Sequence, residues 1–146
     1  MKIRILLLSL ICAAVTVPAI QAADAPETEL GDKMDKMGGA FRKLKRQLAD
    51  ATKNEDSLKL VATMRESAKA ALTLEPAMKA DIPKADQAKF VADYQAKMKS
   101  FNAELVKLED ALKAGKNEDA AKIVEGLGTM QKEGHKQFKK PDTKKK

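Results

Sequence analysis

The chain contains a single histidine, His135, in the segment MQKEGHKQF, a few residues before the sequence runs out in lysines. An imidazole near a helix end can complement the helix dipole as a cation, sit satisfied in a core, or bind a metal through a ring nitrogen. For iron in a helical core, imidazole is a leading ligand, and a thioether is a soft, neutral partner on the opposite side. Six methionines follow the initiator. Met64, Met98 and Met130 read most simply as flexible core fillers, whereas Met34 and Met37 share an apolar stripe with Leu30 and Phe41. Gly38 stands one turn beyond Met34, and Gly39 follows. An interior glycine costs a helix about 1 kcal/mol relative to alanine, so the pair must accommodate something: a flat ligand against the helix, or close helix packing. Gly128 and Gly134 raise the same alternatives near His135. With one histidine and no Glu-x-x-His motif, no acid–base or nucleophilic constellation is visible. An enzyme is therefore not expected.

These residues need helices to position them. Leu30, Met34, Met37, Phe41, Leu44 and Leu48 recur at intervals of four and three, which draws one stripe down a first helix. Asn54 is placed as the N-cap of a second helix, which carries Leu58, Val61, Ala62, Met64, Ala68 and Leu72 and is stopped by Pro76. A third helix starts between Lys84 and Gln87 and buries Tyr94, Met98, Phe101, Leu105, Leu108 and Leu112, with Gly115 as its C-terminal stop. Asn117 is placed as the cap of a fourth, through Ala120, Val124, Leu127, Gln131, His135 and Phe138 to Pro141. Lys53-Asn-Glu-Asp and Lys116-Asn-Glu-Asp occupy the same place in two successive hairpins, followed by Lys59/Lys122 and Val61/Val124 at matched offsets. Two hairpins with short connections predict an all-α fold, an antiparallel up-down-up-down four-helix bundle. The start of the first helix and the end of the last then share one end of the bundle, which lets Met34 and His135 face each other. At ~100° per residue, His135 lies about 20° from Val124, on the buried face or its edge.

Residues 1–22 read as an export signal: Lys2 and Arg4, an apolar run from Ile5 to Val17, and a cleavage position after Ala22. The run is shorter than the ~20 residues of a membrane span, so a protein free in the periplasm is expected. Cys12 falls inside the signal and poorly fits a lipoprotein site, which leaves the exported chain without cysteine. Residues 23–140 make the bundle and 141–146 a disordered, lysine-rich tail. Of the formal charge of +7, two units belong to the signal and four to the stretch Lys139–Lys146. The folded body is close to neutral, and with only four Phe and one Tyr it lacks the basic, aromatic-studded face of a nucleic-acid binder.

The opening MDKMGGAFR, the segment TMRESA with a proline after the second helix, LEDALKAGKNEDA across the last hairpin and the closing GHKQF together resemble the cytochrome b562 family. The resemblance spans Leu30 to Lys139. It implies a periplasmic bundle that holds one non-covalent haem b between axial Met and His ligands, acts in electron transfer with a redox partner, and works as a single copy. Alignment of the stripe puts Met34 on the ligand position, with Met37 as the alternative, and His135 on the other. Met37, Phe41 and Phe101 would line the pocket, with Phe138 beside the histidine. The chain departs from the pattern at Gln131, where the best-known member has arginine, and at Lys97, where an aromatic pocket residue is usual. With no Cys-x-x-Cys-His, haem would be held by coordination and burial alone. The alternative is a haem-free periplasmic bundle with a binding or stress-related role.

Overall fold

The computed structural model describes residues 28–140. The expected export signal and the tail 141–146 lie outside them. Four helices account for most of the described chain: α1 (Glu29–Gln47), α2 (Asn54–Ala71), α3 (Lys84–Lys113) and α4 (Asn117–Phe138). They form an antiparallel four-helix bundle, as the periodicity predicts. Close backbone packing runs from α1 to α2, α2 to α3 and α3 to α4. Along α1 and α4 the backbones do not approach each other as extensively.

Each helix starts or stops for a local reason. Thr28 caps α1, its hydroxyl accepting from the Gly31 N–H at 3.0 Å, and Glu29 and Asp32 in the first turn complement the dipole. Asp50 turns the chain after α1 by accepting from the Thr52 N–H at 3.0 Å, and a short 3₁₀ turn, Ala51–Lys53, feeds α2. Helix α2 ends at Ala71, ahead of Pro76, and a second 3₁₀ turn, Ala77–Asp81, leads to Pro83 and α3. At the end of α3 the predicted stop is a Schellman motif. Gly115 takes φ +68°, its N–H donates to Leu112 O at 3.1 Å, and the Lys116 N–H donates to Ala111 O at 2.9 Å.

Asn54 and Asn117 depart from expectation. Both are the first helical residues, with Lys53 and Lys116 in the cap positions and no side-chain cap bond. An N-cap side chain must fold back onto its own helix from an extended backbone, whereas Asn54 is already helical at φ −58°, ψ −36°. The two carboxamides instead meet across the bundle. Asn54 Nδ2 donates to Asn117 Oδ1 at 3.0 Å, and Asn117 Nδ2 donates to Asn54 Oδ1 at 2.8 Å. Asn117 Nδ2 also reaches Leu48 O at 2.9 Å, and Asn54 Nδ2 reaches Leu112 O at 3.5 Å. The matched motifs thus place matched amides opposite each other, each satisfying a carbonyl at the end of a helix in the other hairpin.

Between the ends runs one apolar core. Leu44, Val61, Met64, Leu105, Leu108 and Leu127 are fully buried. At ~25 cal/mol per Å² of apolar surface, such side chains contribute most of the stabilisation. Arg65 of α2 and Glu109 of α3 pair across the bundle, and Lys113 reaches the same carboxylate at 2.5 Å.

Candidate functional site

The end opposite the asparagine pair brings together the start of α1, the end of α2, the start of α3 and the end of α4. Phe41 of α1 approaches α4 here: a Cβ placed on Gly128 would meet the tip of its ring at 3.9 Å. In antiparallel helices, equal steps outward from a contact stay level with each other. Seven residues back from Phe41 is Met34, and seven forward from Gly128 is His135. Seven residues also return to nearly the same face, within about 20°. Met34 and His135 therefore each lie two turns outward from that approach, on nearly the same helix faces as Phe41 and Gly128.

Their burial differs. Met34 is half-buried against the core, and Met37, turned about 60° further toward the bundle axis, is buried with 8% of its surface exposed. His135 is exposed, where the periodicity predicts the buried face or its edge. The buried stripe of α4 explains the difference: from Leu127 it passes through half-buried Gln131 and Gly134 to Phe138, and His135 falls on its α1-facing side, where the two backbones do not close on each other. The backbone at His135 is held, since its carbonyl accepts from the Lys139 N–H at 3.1 Å. Its imidazole makes no hydrogen bond among the described residues, so no partner holds the ring away from the seam.

The glycines discriminate between the two readings they raised. Nothing lies within 4 Å of a Cβ placed on Gly39 or Gly134, and only the mobile end of Arg42, at 3.6 Å, approaches Gly38. Close helix packing does not account for them. Phe41 is buried at 5% exposure and, with Met37, forms an apolar wall one to two turns below Met34.

The other expected pocket residues are distributed differently. Phe138 is buried, but it packs toward α3, with its ring edge-to-face on Phe90 at 5.3 Å and on Tyr94 at 5.5 Å between centroids. Phe101 is half-buried two turns further along α3 than Tyr94. Lys97 pairs with Glu133 of α4 at 3.4 Å on the surface. The sequence reading did not anticipate the aromatic triad, although Phe90 and Tyr94, four residues apart, carried the signal. The Tyr94 hydroxyl donates to Ala71 O at 3.0 Å, and burial pushes its phenol up to about 12.

The donor set is informative about its ligand. Among the described residues no three His, Cys, Asp or Glu side chains cluster to hold a bare ion. A thioether and an imidazole fill only two coordination positions, so iron between them must bring its remaining ligands with it. A planar macrocycle does so, and the open glycine faces and the Met37–Phe41 wall suit its apolar body.

Fold and site thus define a four-helix bundle with a methionine near the start of α1 and the histidine near the end of α4, at one end of the bundle. The sequence model of the cytochrome b562 family matches residues 29–139, and the chain belongs to that family, whose members bind haem b. No curated protein and no solved structure matches the chain. No helix among the described residues is long and apolar enough to cross a membrane.

Proposed function

We propose that this chain binds one haem b without covalent attachment in the α1/α4 seam, with Met34 and His135 as its axial ligands, and that it carries electrons in the periplasm as a single copy. The observation that supports this reading is the approach of the Phe41 ring to Gly128, from which Met34 and His135 each lie two turns outward on nearly the same faces. Met34 is favoured over Met37 because Met37 points into the core at a level one turn deeper. The haem iron supplies the one-electron couple.

The chain's own residues do the rest. His135 turns its exposed ring into the seam and offers a neutral nitrogen. Met34 offers sulfur from the opposite flank, a soft donor that raises the potential relative to harder ligand sets. Met37 and Phe41 would exclude water beneath them, while Phe138, packed on Phe90 and Tyr94, would close the α3 side of this end. With Met34 and His135 both holding the iron, the protein would offer no position for a substrate, which fits a carrier rather than an enzyme. Residues 1–22 direct it to the periplasm.

Carbon monoxide tests the reading directly. The reduced, hemin-loaded protein should resist carbon monoxide and cycle reversibly between oxidation states; ready binding would show an open iron position and contradict the carrier role. The exposure of His135 and the Lys97–Glu133 pair favour the second reading, a haem-free bundle. That one predicts no specific spectrum after hemin addition.

A further inference from the structure

Several lysines elsewhere in the bundle pair with a carboxylate of their own helix, although Lys69, Lys84, Lys99 and Lys116 have no ion pair among the described residues. Lys59 pairs with Asp56, Lys107 with Glu104, Lys113 with Glu109 and Lys122 with Asp119. The second half of α1 breaks this habit. From Lys36 to Ala49 there are five basic residues and no acidic one. Arg42, Lys43, Lys45 and Arg46 are all exposed, and none has an ion-pair partner among the described residues. Lys45 lies 5.9 Å from the centre of the Phe41 ring, and Lys43 and Arg46 line an open groove between α1 and α2 together with Lys59 and Asp56.

The helix alone does not account for this cluster. Lys45 and Arg46 lie in the last turn, where cations complement the dipole. Arg42 and Lys43 lie further in. The spacings 42/45, 42/46 and 43/46 set like charges three or four apart, each disfavouring the helix by a few tenths of a kcal/mol.

We infer that the exposed face of α1 formed by Arg42, Lys43, Lys45 and Arg46 is a docking surface for an acidic patch on a partner protein. Charge complementarity selects an anionic partner and steers its approach. The chemistry of the face selects among anions. Its other exposed neighbours, Ala49, Asp50, Ala51 and Thr52, offer no ring on which a base could stack and no apolar anchor to enter a lipid interface, and the Asp50 carboxylate is taken up by the Thr52 N–H and hydroxyl. The surface lies about 16 Å along α1 from Met34, eleven residues at 1.5 Å each. The inference does not rest on haem, and the test below runs on protein with or without it.

The test is fluorescence anisotropy of a labelled poly-glutamate peptide titrated with the mature chain at low ionic strength. The fourfold variant Arg42→Gln/Lys43→Gln/Lys45→Gln/Arg46→Gln is compared with an equal charge change elsewhere, Lys69→Gln/Lys84→Gln/Lys99→Gln/Lys116→Gln, and with a chain lacking residues 141–146. Circular dichroism checks that each is folded, glutamine being an adequate helix former. The α1 variant should bind at least about tenfold more weakly, the other two within about twofold of the parent, and added salt should erase the difference. Equal weakening by the control variant, or a loss caused mainly by deleting the tail, would overturn the assignment. So would tighter, α1-dependent binding to duplex DNA or to phosphatidylglycerol vesicles, which would give the face to a nucleic acid or a membrane.

Discussion

The two ends of the bundle are built by different means. At one, Asn54 and Asn117 exchange hydrogen bonds and each reaches a carbonyl at the end of a helix in the other hairpin, while Leu44, Val61, Leu108 and Ala120 around them are fully buried. At the other, Ala68 and Ala71 are fully buried too, but Leu30, Met37 and Phe138 keep a little exposure, at 9%, 8% and 7%. There α4 is tied to α3 by aromatic edges rather than to α1. The directional, fully satisfied bonds of the first end fix which helices meet and in what register. The softer contacts of the second leave Met34 and His135 at a seam that is not closed by packing. A bundle that is stitched at one end can leave the other adaptable, and the only histidine lies at the adaptable end.

The largest effect should come from cutting the stitch. Asn117→Leu leaves the Leu48 carbonyl without its partner and the half-buried Asn54 amide with only its long bond to Leu112 O, and urea unfolding should show a loss of about 2 kcal/mol, an unsatisfied group costing ~1–3 kcal/mol when buried. Removing both amides, Asn54→Leu/Asn117→Leu, should cost clearly less than the sum of the two single changes. Strict additivity would mean that the pair does not act as a unit and would blur the contrast between the ends.

Tyr94→Phe at the adaptable end should cost less, about 1 kcal/mol, for the bond to Ala71 O. It also carries a pH signature. Burial raises the phenol from 10.0 to about 12 in the folded chain, so its share of stability is intact below pH 10 and falls as pH rises through about 12. Alkaline unfolding curves of Tyr94→Phe should lack that component.

Smaller still is Glu109, one turn from the end of α3 on the asparagine side. Lys113 and Arg65 bonding to its carboxylate hold it below the usual carboxylate range. Its stabilisation is present above the unfolded-state value and lost as pH falls through the folded one. Glu109→Gln should cost a few tenths of a kcal/mol at neutral pH and flatten the acid limb of the stability profile. Lys97→Ala, which breaks the exposed pair with Glu133, should fall within about 0.5 kcal/mol.

Much of this was legible in the sequence, for a physical reason. Stripes at three and four residues have few alternatives to amphipathic helices, Pro76 and Gly115 stop helices through their own backbone chemistry, and short connections force neighbouring helices antiparallel. What escaped depended on distance in the chain. The Lys-Asn-Glu-Asp echo was visible, but the pairing of its asparagines across 63 residues competes with capping, and only tertiary context decides between them. His135 escaped in a similar way: an angle around one helix does not reveal whether the helix beside it closes over that angle. The aromatic triad needed the register of α3 against α4.

The measurement that tests the central claim most directly is a hemin titration of the mature chain, read by visible absorption in both oxidation states, beside Met34→Ala, Met37→Ala and His135→Ala. A sharp low-spin spectrum that is lost in His135→Ala and Met34→Ala and kept in Met37→Ala is the predicted result. A spectrum unchanged by His135→Ala, or none in the parent chain, would contradict it.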